Sequence, residues 1–168
     1  MPENDKVSEY LHFLDFLNQR EYRTKIIFVP SYLNGNDGIF NVSYYDLLVG
    51  LDLTVFPSYY EPWGYTPLES IAFGVPTITT NLAGFGLWAK ESGVSGNRLA
   101  EGVEVIERTD SNYSEVAENN KYSIINDSSL DSKEILKTKI SARALAKKAS
   151  LKRFIKYYYE AYDKALRA

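Results

Sequence analysis

Cysteine is missing from this 168-residue chain and histidine occurs once. No apolar run approaches the roughly 18 residues of a membrane span. Without cysteine there is neither a disulfide framework nor a thiolate metal site, a composition compatible with a cytoplasmic location. The one histidine, His12, falls beside an apolar stripe, where a helix-surface or partly buried role is expected rather than that of a catalytic base. An excess of basic charge is also lacking: a formal net charge of -3 and a pI near 5.3 argue against a general nucleic-acid binder, because phosphate backbones select clustered Lys and Arg. Residues 1–10 are too acidic and polar for a signal peptide. What remains is an ordinary globular composition, 45% hydrophobic and 24% charged, with room for one domain with its own core.

What is present in quantity is aromatic, 14% of the chain, and the stretch that organises the rest runs from Leu53 to Gly86. There a short apolar run, Leu53 to Phe56, is stopped by Pro57 and followed by a loop of Tyr, Trp, Gly and Pro, so a strand leads into a helix. Thr66, Pro67 and Glu69 match a capping box with proline at the first helical position. Gly74 ends the helix, and residues 75–79 form the next strand. In open α/β sheets the loop between strand end and helix start binds ligands, and an exposed helix N-terminus favours phosphate. This loop is the candidate site.

Elsewhere, Val7, Tyr10, Leu11, Leu14 and Leu17 sit at helical spacing and predict an amphipathic helix over 7–19. Ile26 to Val29, ended by Pro30, reads as a buried strand. The run Asn34 to Gly38 lacks the spaced carboxylates of a calcium loop and is expected to be a tight turn. Ser43 to Gly50 reads as a short helix bearing Tyr44, Leu47 and Leu48. Strands at 26–29, 53–56 and 75–79, separated by helical segments, make β-α-β crossovers, with a fourth strand at 102–106. Residues 87–102 look irregular, and 109–121 have no clear pattern. Asp131 is expected to cap a helix through Ile135, Leu136 and Ile140 and on to Ala149. A last helix from Leu151 carries Phe154, Ile155, Tyr158, Tyr162 and Leu166 as a stripe expected to be core. Lys133, Lys137, Lys139, Arg143, Lys147 and Lys148 are expected on a solvated face.

The string Phe56-Pro57-Ser58-Tyr59-Tyr60-Glu61-Pro62-Trp63-Gly64-Tyr65-Thr66-Pro67, then Glu69, then Ile78 to Gly86, closely resembles the donor-site motif of retaining GT-B glycosyltransferases, specifically the animal and fungal type of glycogen synthase. The resemblance reaches the last helix, since those enzymes end their sugar-nucleotide domain on a similar aromatic-rich helix. It implies an α/β fold, a Rossmann-like parallel sheet flanked by helices, forming part of the C-terminal domain of a GT-B fold, with residues 1–168 as a single partial domain. It also implies retaining transfer of glucose from a nucleotide-glucose, UDP-glucose or ADP-glucose, to an α-1,4-glucan, with the missing N-terminal domain of the same protein as a further partner.

By that resemblance Glu61 is the catalytic carboxylate that contacts the donor sugar. Tyr44 stacks on the base, and Glu69 holds the ribose hydroxyls. Trp63, Gly64, Tyr65 and Thr66 offer main-chain N–H groups to the diphosphate. Glu69 has a competing use as the capping partner of Thr66. No cofactor is expected, the nucleotide-sugar being a substrate. Nor is a divalent metal, since the region lacks paired aspartates and presents a helix N-terminus to the leaving diphosphate instead. The eukaryotic enzymes' arginine cluster for a sugar-phosphate activator is lacking here, and Glu21 to Lys25 do not supply the family's diphosphate-binding Arg and Lys. Two carboxylates near a sugar also suit a glycosidase, which has no need of the helix N-terminus. A non-catalytic nucleotide-sugar-binding module and a related glycosyltransferase with another acceptor are compatible with the same residues.

Overall fold

A computed structural model describes residues 5–15, 18–96 and 98–167. The backbone gathers into two compact units, Met1–Tyr44 and Tyr45–Ala168. Among the described residues no helix is long and apolar enough to cross a membrane.

In the first unit, helix α1 (Lys6–Phe13) is capped by Asp5, whose Oδ2 accepts from the backbone N–H and the hydroxyl of Ser8, both at 2.8 Å. These bonds to the charged form hold the Asp5 carboxyl below its ordinary value. His12 is exposed in the last turn. The helix is shorter than the 7–19 predicted: it stops at Phe13, and Asp15 and Asn18 take positive φ of 55° and 54°. Of the predicted stripe, Leu17 lies outside the described residues, and α1 buries none of its own residues.

The strand predicted at 26–29 is also absent, for a local reason. The Asn18 side chain donates to the Ile26 carbonyl at 2.6 Å and accepts from the Ile26 N–H at 2.7 Å, taking up groups that a sheet ladder would use. Where a tight turn is expected at 34–38 the chain bends, the Asn36 N–H donating to Asn34 Oδ1 at 3.0 Å with Gly35 at φ 88°, and a second bend follows directly. Asp37 accepts from the backbone N–H groups of Ile39, Phe40 and Asn41 at 2.9, 2.7 and 3.0 Å.

The second unit opens within the short helix α2 (Tyr44–Leu48) and is built on a parallel sheet. Its strands are β1 (Thr54–Val55), β2 (Thr77–Thr80) and β3 (Val103–Ile106), in the order β1-β2-β3. Thr54 pairs with Thr77, and Thr77 with Val103. Helix α3 (Tyr65–Phe73) links β1 to β2; α4 (Gly84–Glu91) and a 3₁₀ turn (Leu99–Glu101) link β2 to β3. Three helices follow: α5 (Tyr113–Ser128), α6 (Ser132–Lys148) and α7 (Leu151–Arg167). This is the Rossmann-like parallel sheet flanked by helices that the resemblance implies, with three of the four strands that the sequence predicts.

Both faces of the sheet are covered. Val103 and Val105 pack with Ile71, Phe85, Ala89, Ala142 and Leu145 on one side, while Ile106 joins Ile78, Leu99 and Val116 on the other. That split follows the two-residue period of β3. Strand β2 is buried at every residue although it reads Thr-Ile-Thr-Thr. Two of its hydroxyl problems are solved by neighbours. Thr54 Oγ1 lies 2.8 Å from Thr77 Oγ1 and 2.7 Å from Ser70 Oγ, and Thr80 Oγ1 donates to the Ser58 carbonyl at 2.7 Å. The first of these groups ties β1, β2 and α3 together.

Several elements differ from the sequence expectations. Residues 84–91 are helical where 87–102 looked irregular; two glycines in the first turn lower helix propensity, but Phe85, Gly86 and Ala89 are buried, and that packing overrides it. Helix α5 fills the unreadable region, with only Val116 and Ser123 buried to mark it. The stripe on α7 is not core: none of its residues is buried, Phe154 and Ile155 are half-buried, and Tyr158, Tyr162 and Leu166 are exposed. Of the α6 cations, Arg143 reaches the Phe73 carbonyl at 3.1 Å and Lys148 the Ser92 carbonyl at 2.7 Å, so this face is not wholly solvated.

Candidate active site

The β1–α3 loop is strapped to the start of α4. The Glu61 N–H donates to the Leu82 carbonyl at 3.2 Å, the Gly84 N–H to the Glu61 carbonyl at 3.0 Å, and the Phe85 N–H to the Trp63 carbonyl at 2.6 Å. Glu61 and Ala83 thus form an isolated parallel bridge. The approach demands glycine at 84, where a Cβ would lie 2.3 Å from the Pro62 carbonyl oxygen. Beneath the loop, the Trp63 ring meets Phe85, Trp88 and Phe154 with centroids 6.3, 5.9 and 5.7 Å away. Trp63 therefore anchors the loop with its side chain.

The other end of the loop is braced by residues just past β3. Arg108 donates through Nη1 to the Pro57 carbonyl at 2.6 Å, and its guanidinium lies 4.8 Å from the Tyr59 ring centroid. Tyr59 donates to Asp110 Oδ1 at 2.5 Å, and that bond to a carboxylate raises the phenol above its ordinary pKa. Sequence reading missed Arg108 and Asp110. Their place outside the carboxyl end of a parallel strand is the signal that could have found them.

At the head of α3 the expected capping box is absent. The N-cap is Gly64, at φ 105° and ψ 77°, and no side chain caps it. Thr66 is already the second helical residue and Pro67 the third, not the first. Glycine tolerates this left-handed entry, and the strap at Trp63 fixes it, so the helix begins before threonine can cap. Pro67 has no N–H to satisfy, which leaves the N–H groups of Tyr65 and Thr66 in a first turn with no side-chain cap. Tyr65 and Thr66 are exposed. The exposed Glu61 runs beside this end, its Cγ 3.5 Å from where a Gly64 Cβ would stand. A carboxylate there is favoured by the positive end of the helix.

Glu69, one turn further, is half-buried and does not reach back to the cap. Its Oε1 accepts from the Tyr45 hydroxyl at 3.0 Å, and that bond raises the Tyr45 pKa above its ordinary value. The Tyr45 ring stacks on Phe73 at 5.4 Å between centroids, with 18° between planes. Glu61, Trp63, Gly64, Tyr65, Thr66 and Glu69 are thus gathered around the first turns of one helix. Tyr44 is the last residue of the first unit, half-buried, with its N–H bonded to the Leu33 carbonyl at 3.0 Å.

Comparison with known proteins gives a consistent answer. A family model described as glycogen synthase matches residues 2–168. Glycogen [starch] synthase isoform 1 of Saccharomyces cerevisiae is 39% identical over 105 residues, which is 62% of this chain and 15% of that protein. Glycogen [starch] synthase of Caenorhabditis elegans is 40% identical over 105 residues, with the same shares, and the human liver enzyme is 36% identical over 104 residues, 62% of this chain and 14% of that protein. The match spans only a small part of each relative's length. Because the family model covers nearly every residue, the chain belongs to the glycogen synthase family.

Proposed function

We propose that this chain is the nucleotide-sugar-binding part of a retaining glycosyltransferase that moves glucose from a nucleotide-glucose, UDP-glucose or ADP-glucose, to the end of an α-1,4-glucan in the cytoplasm. The observation that carries the reading is the uncapped N-terminus of α3 with Glu61 beside it. In such a transfer the bond from the anomeric carbon to the diphosphate oxygen breaks, and a bond from that carbon to an acceptor hydroxyl forms. Negative charge grows on the diphosphate. The N–H groups of the Trp63 to Thr66 segment donate hydrogen bonds to it, and the helix end adds about 0.3–2 kcal/mol. Glu61 faces the glucosyl unit, where its carboxylate supports hydroxyl contacts and developing positive charge. Glu69 takes the ribose hydroxyls and Tyr44 the base.

A second domain of the same protein completes the acceptor side, since orientation of two substrates is among the largest catalytic contributions. A helix end alone falls far short of the roughly 8 kcal/mol or more by which enzymes lower barriers. The test follows label from UDP-glucose or ADP-glucose into glycogen. The whole native protein is expected to incorporate it and the isolated 168-residue chain to incorporate none above a Glu61→Ala control. Incorporation by the isolated chain, or none by the whole protein, overturns the reading.

A further inference from the structure

We infer that Tyr45 is a positioning residue for the donor's ribose, acting through Glu69, and so makes the site selective for ribonucleotides. The inference rests on the ribose role proposed for Glu69. Because Gly64 supplies the N-cap, Glu69 is released from the capping work its spacing suggested. Among the described residues no basic side chain pairs with it. A half-buried carboxylate on a helix has several rotamers, and one hydrogen bond to Oε1 selects among them. Tyr45 supplies that bond at 3.0 Å.

Its ring is itself held. Glu69 and Phe73 are four residues apart on one face of α3, and the Tyr45 ring lies along that face, stacked on Phe73. The phenol is thus fixed at both ends, by the ring contact and by the carboxylate. Its raised pKa keeps it a donor at any neutral or moderately alkaline pH. A carboxylate has about four lone-pair sites, so the bond from Tyr45 leaves room for two vicinal hydroxyls on Glu69. A site that holds such hydroxyls discriminates against analogues that lack them, because the half-buried acceptor would lose those partners.

The experiment measures binding of UDP and ADP, and of the 2′,3′-dideoxy form of each, by calorimetry on the native protein. Wild type, Tyr45→Phe, Glu69→Gln and the double variant are compared, using whichever base binds. Wild type is expected to prefer the ribonucleotide, and Glu69→Gln to erase that preference. Tyr45→Phe is expected to weaken the ribonucleotide three- to tenfold and leave the dideoxy form within twofold, with no added loss in the Glu69→Gln background. Unchanged dideoxy binding also shows that the variant is folded. If Glu69→Gln keeps the preference, the ribose reading itself fails and this inference with it. If Glu69→Gln erases it but Tyr45→Phe weakens both forms alike, or neither, Glu69 keeps its role and Tyr45 loses the one assigned here.

Discussion

Two helices of the second unit begin in opposite ways. At α6, Asp131 accepts from the N–H groups of Lys133 and Glu134, both at 2.8 Å, and Glu134 returns a bond to the Asp131 N–H at 3.0 Å. That end is closed by its own side chains. At α3 a similar spacing of threonine and glutamate is present in the sequence, yet the helix starts at Tyr65 behind a glycine, and nothing from a side chain fills the end. The closed end contributes stability and has no capacity left for a ligand. The open end leaves its donors without a side-chain cap. The same helix is served at its other terminus, where Arg143 meets the Phe73 carbonyl, so the open N-terminus is a local feature and not a neglected helix.

The largest expected effect is on the open end's chemistry. Glu61→Gln removes the charge beside α3 and is expected to lower turnover of the native protein about a hundredfold or more, on the scale of losing one preorganised electrostatic contact. The thermal midpoint of the chain should barely move, since Glu61 is exposed. Turnover within a few-fold of wild type would remove Glu61 from the site. Next comes the strap that holds the open end in place. Gly84→Ala drives a Cβ to 2.3 Å from the Pro62 oxygen, and overpacking of this kind costs roughly 1–3 kcal/mol. Urea denaturation should show that loss, accompanied by weaker nucleotide binding. A stable variant with normal binding would mean the strap is dispensable.

The closed end gives a smaller and purely structural effect. Asp131→Ala should cost about 0.5–2 kcal/mol and leave nucleotide affinity unchanged, as read by denaturation and calorimetry on one preparation. A matching loss of affinity would couple α6's start to the site and undo the contrast between the two helices.

How far the sequence reveals these arrangements depends on what kind of interaction makes them. Strands β1, β2 and β3 are legible because short apolar or β-branched runs are bounded by Pro57, Gly74 and Gly102. Asp131 is legible because its cap is local, with all partners within three residues. The segment 26–29 is apolar enough for a strand, but a strand also needs a partner, and Asn18 claims the Ile26 backbone first. Helix α4 hides behind glycines that exist for close packing, as at Gly84. At the candidate site the loop itself could be picked out, and Arg108 and Asp110 only by their place just past a predicted strand, whereas Tyr45 and the partners of all three could not. Their contacts to Glu69, Pro57 and Tyr59 span 24 to 51 positions, and no residue pattern at that range announces them.

The smallest expected effect separates the local reading of α3 from the folded one. Were Thr66 the N-cap, Thr66→Ala would cost about 1 kcal/mol, as cap losses do. In the structure Thr66 is exposed in the first turn and caps nothing, so its replacement should fall within about 0.5 kcal/mol of wild type, in the range of ordinary surface changes. Alanine is also the better helix former, which pushes the result toward neutrality or slight gain. Its main-chain N–H remains after the substitution, so diphosphate binding through that group should persist too. Urea denaturation of the purified chain, run beside Asp131→Ala under the same conditions, gives the comparison directly. A loss at Thr66 equal to that at Asp131 would mean that α3 is closed in solution by its own threonine, and the open helix end on which the proposed donor site depends would not exist in the resting protein.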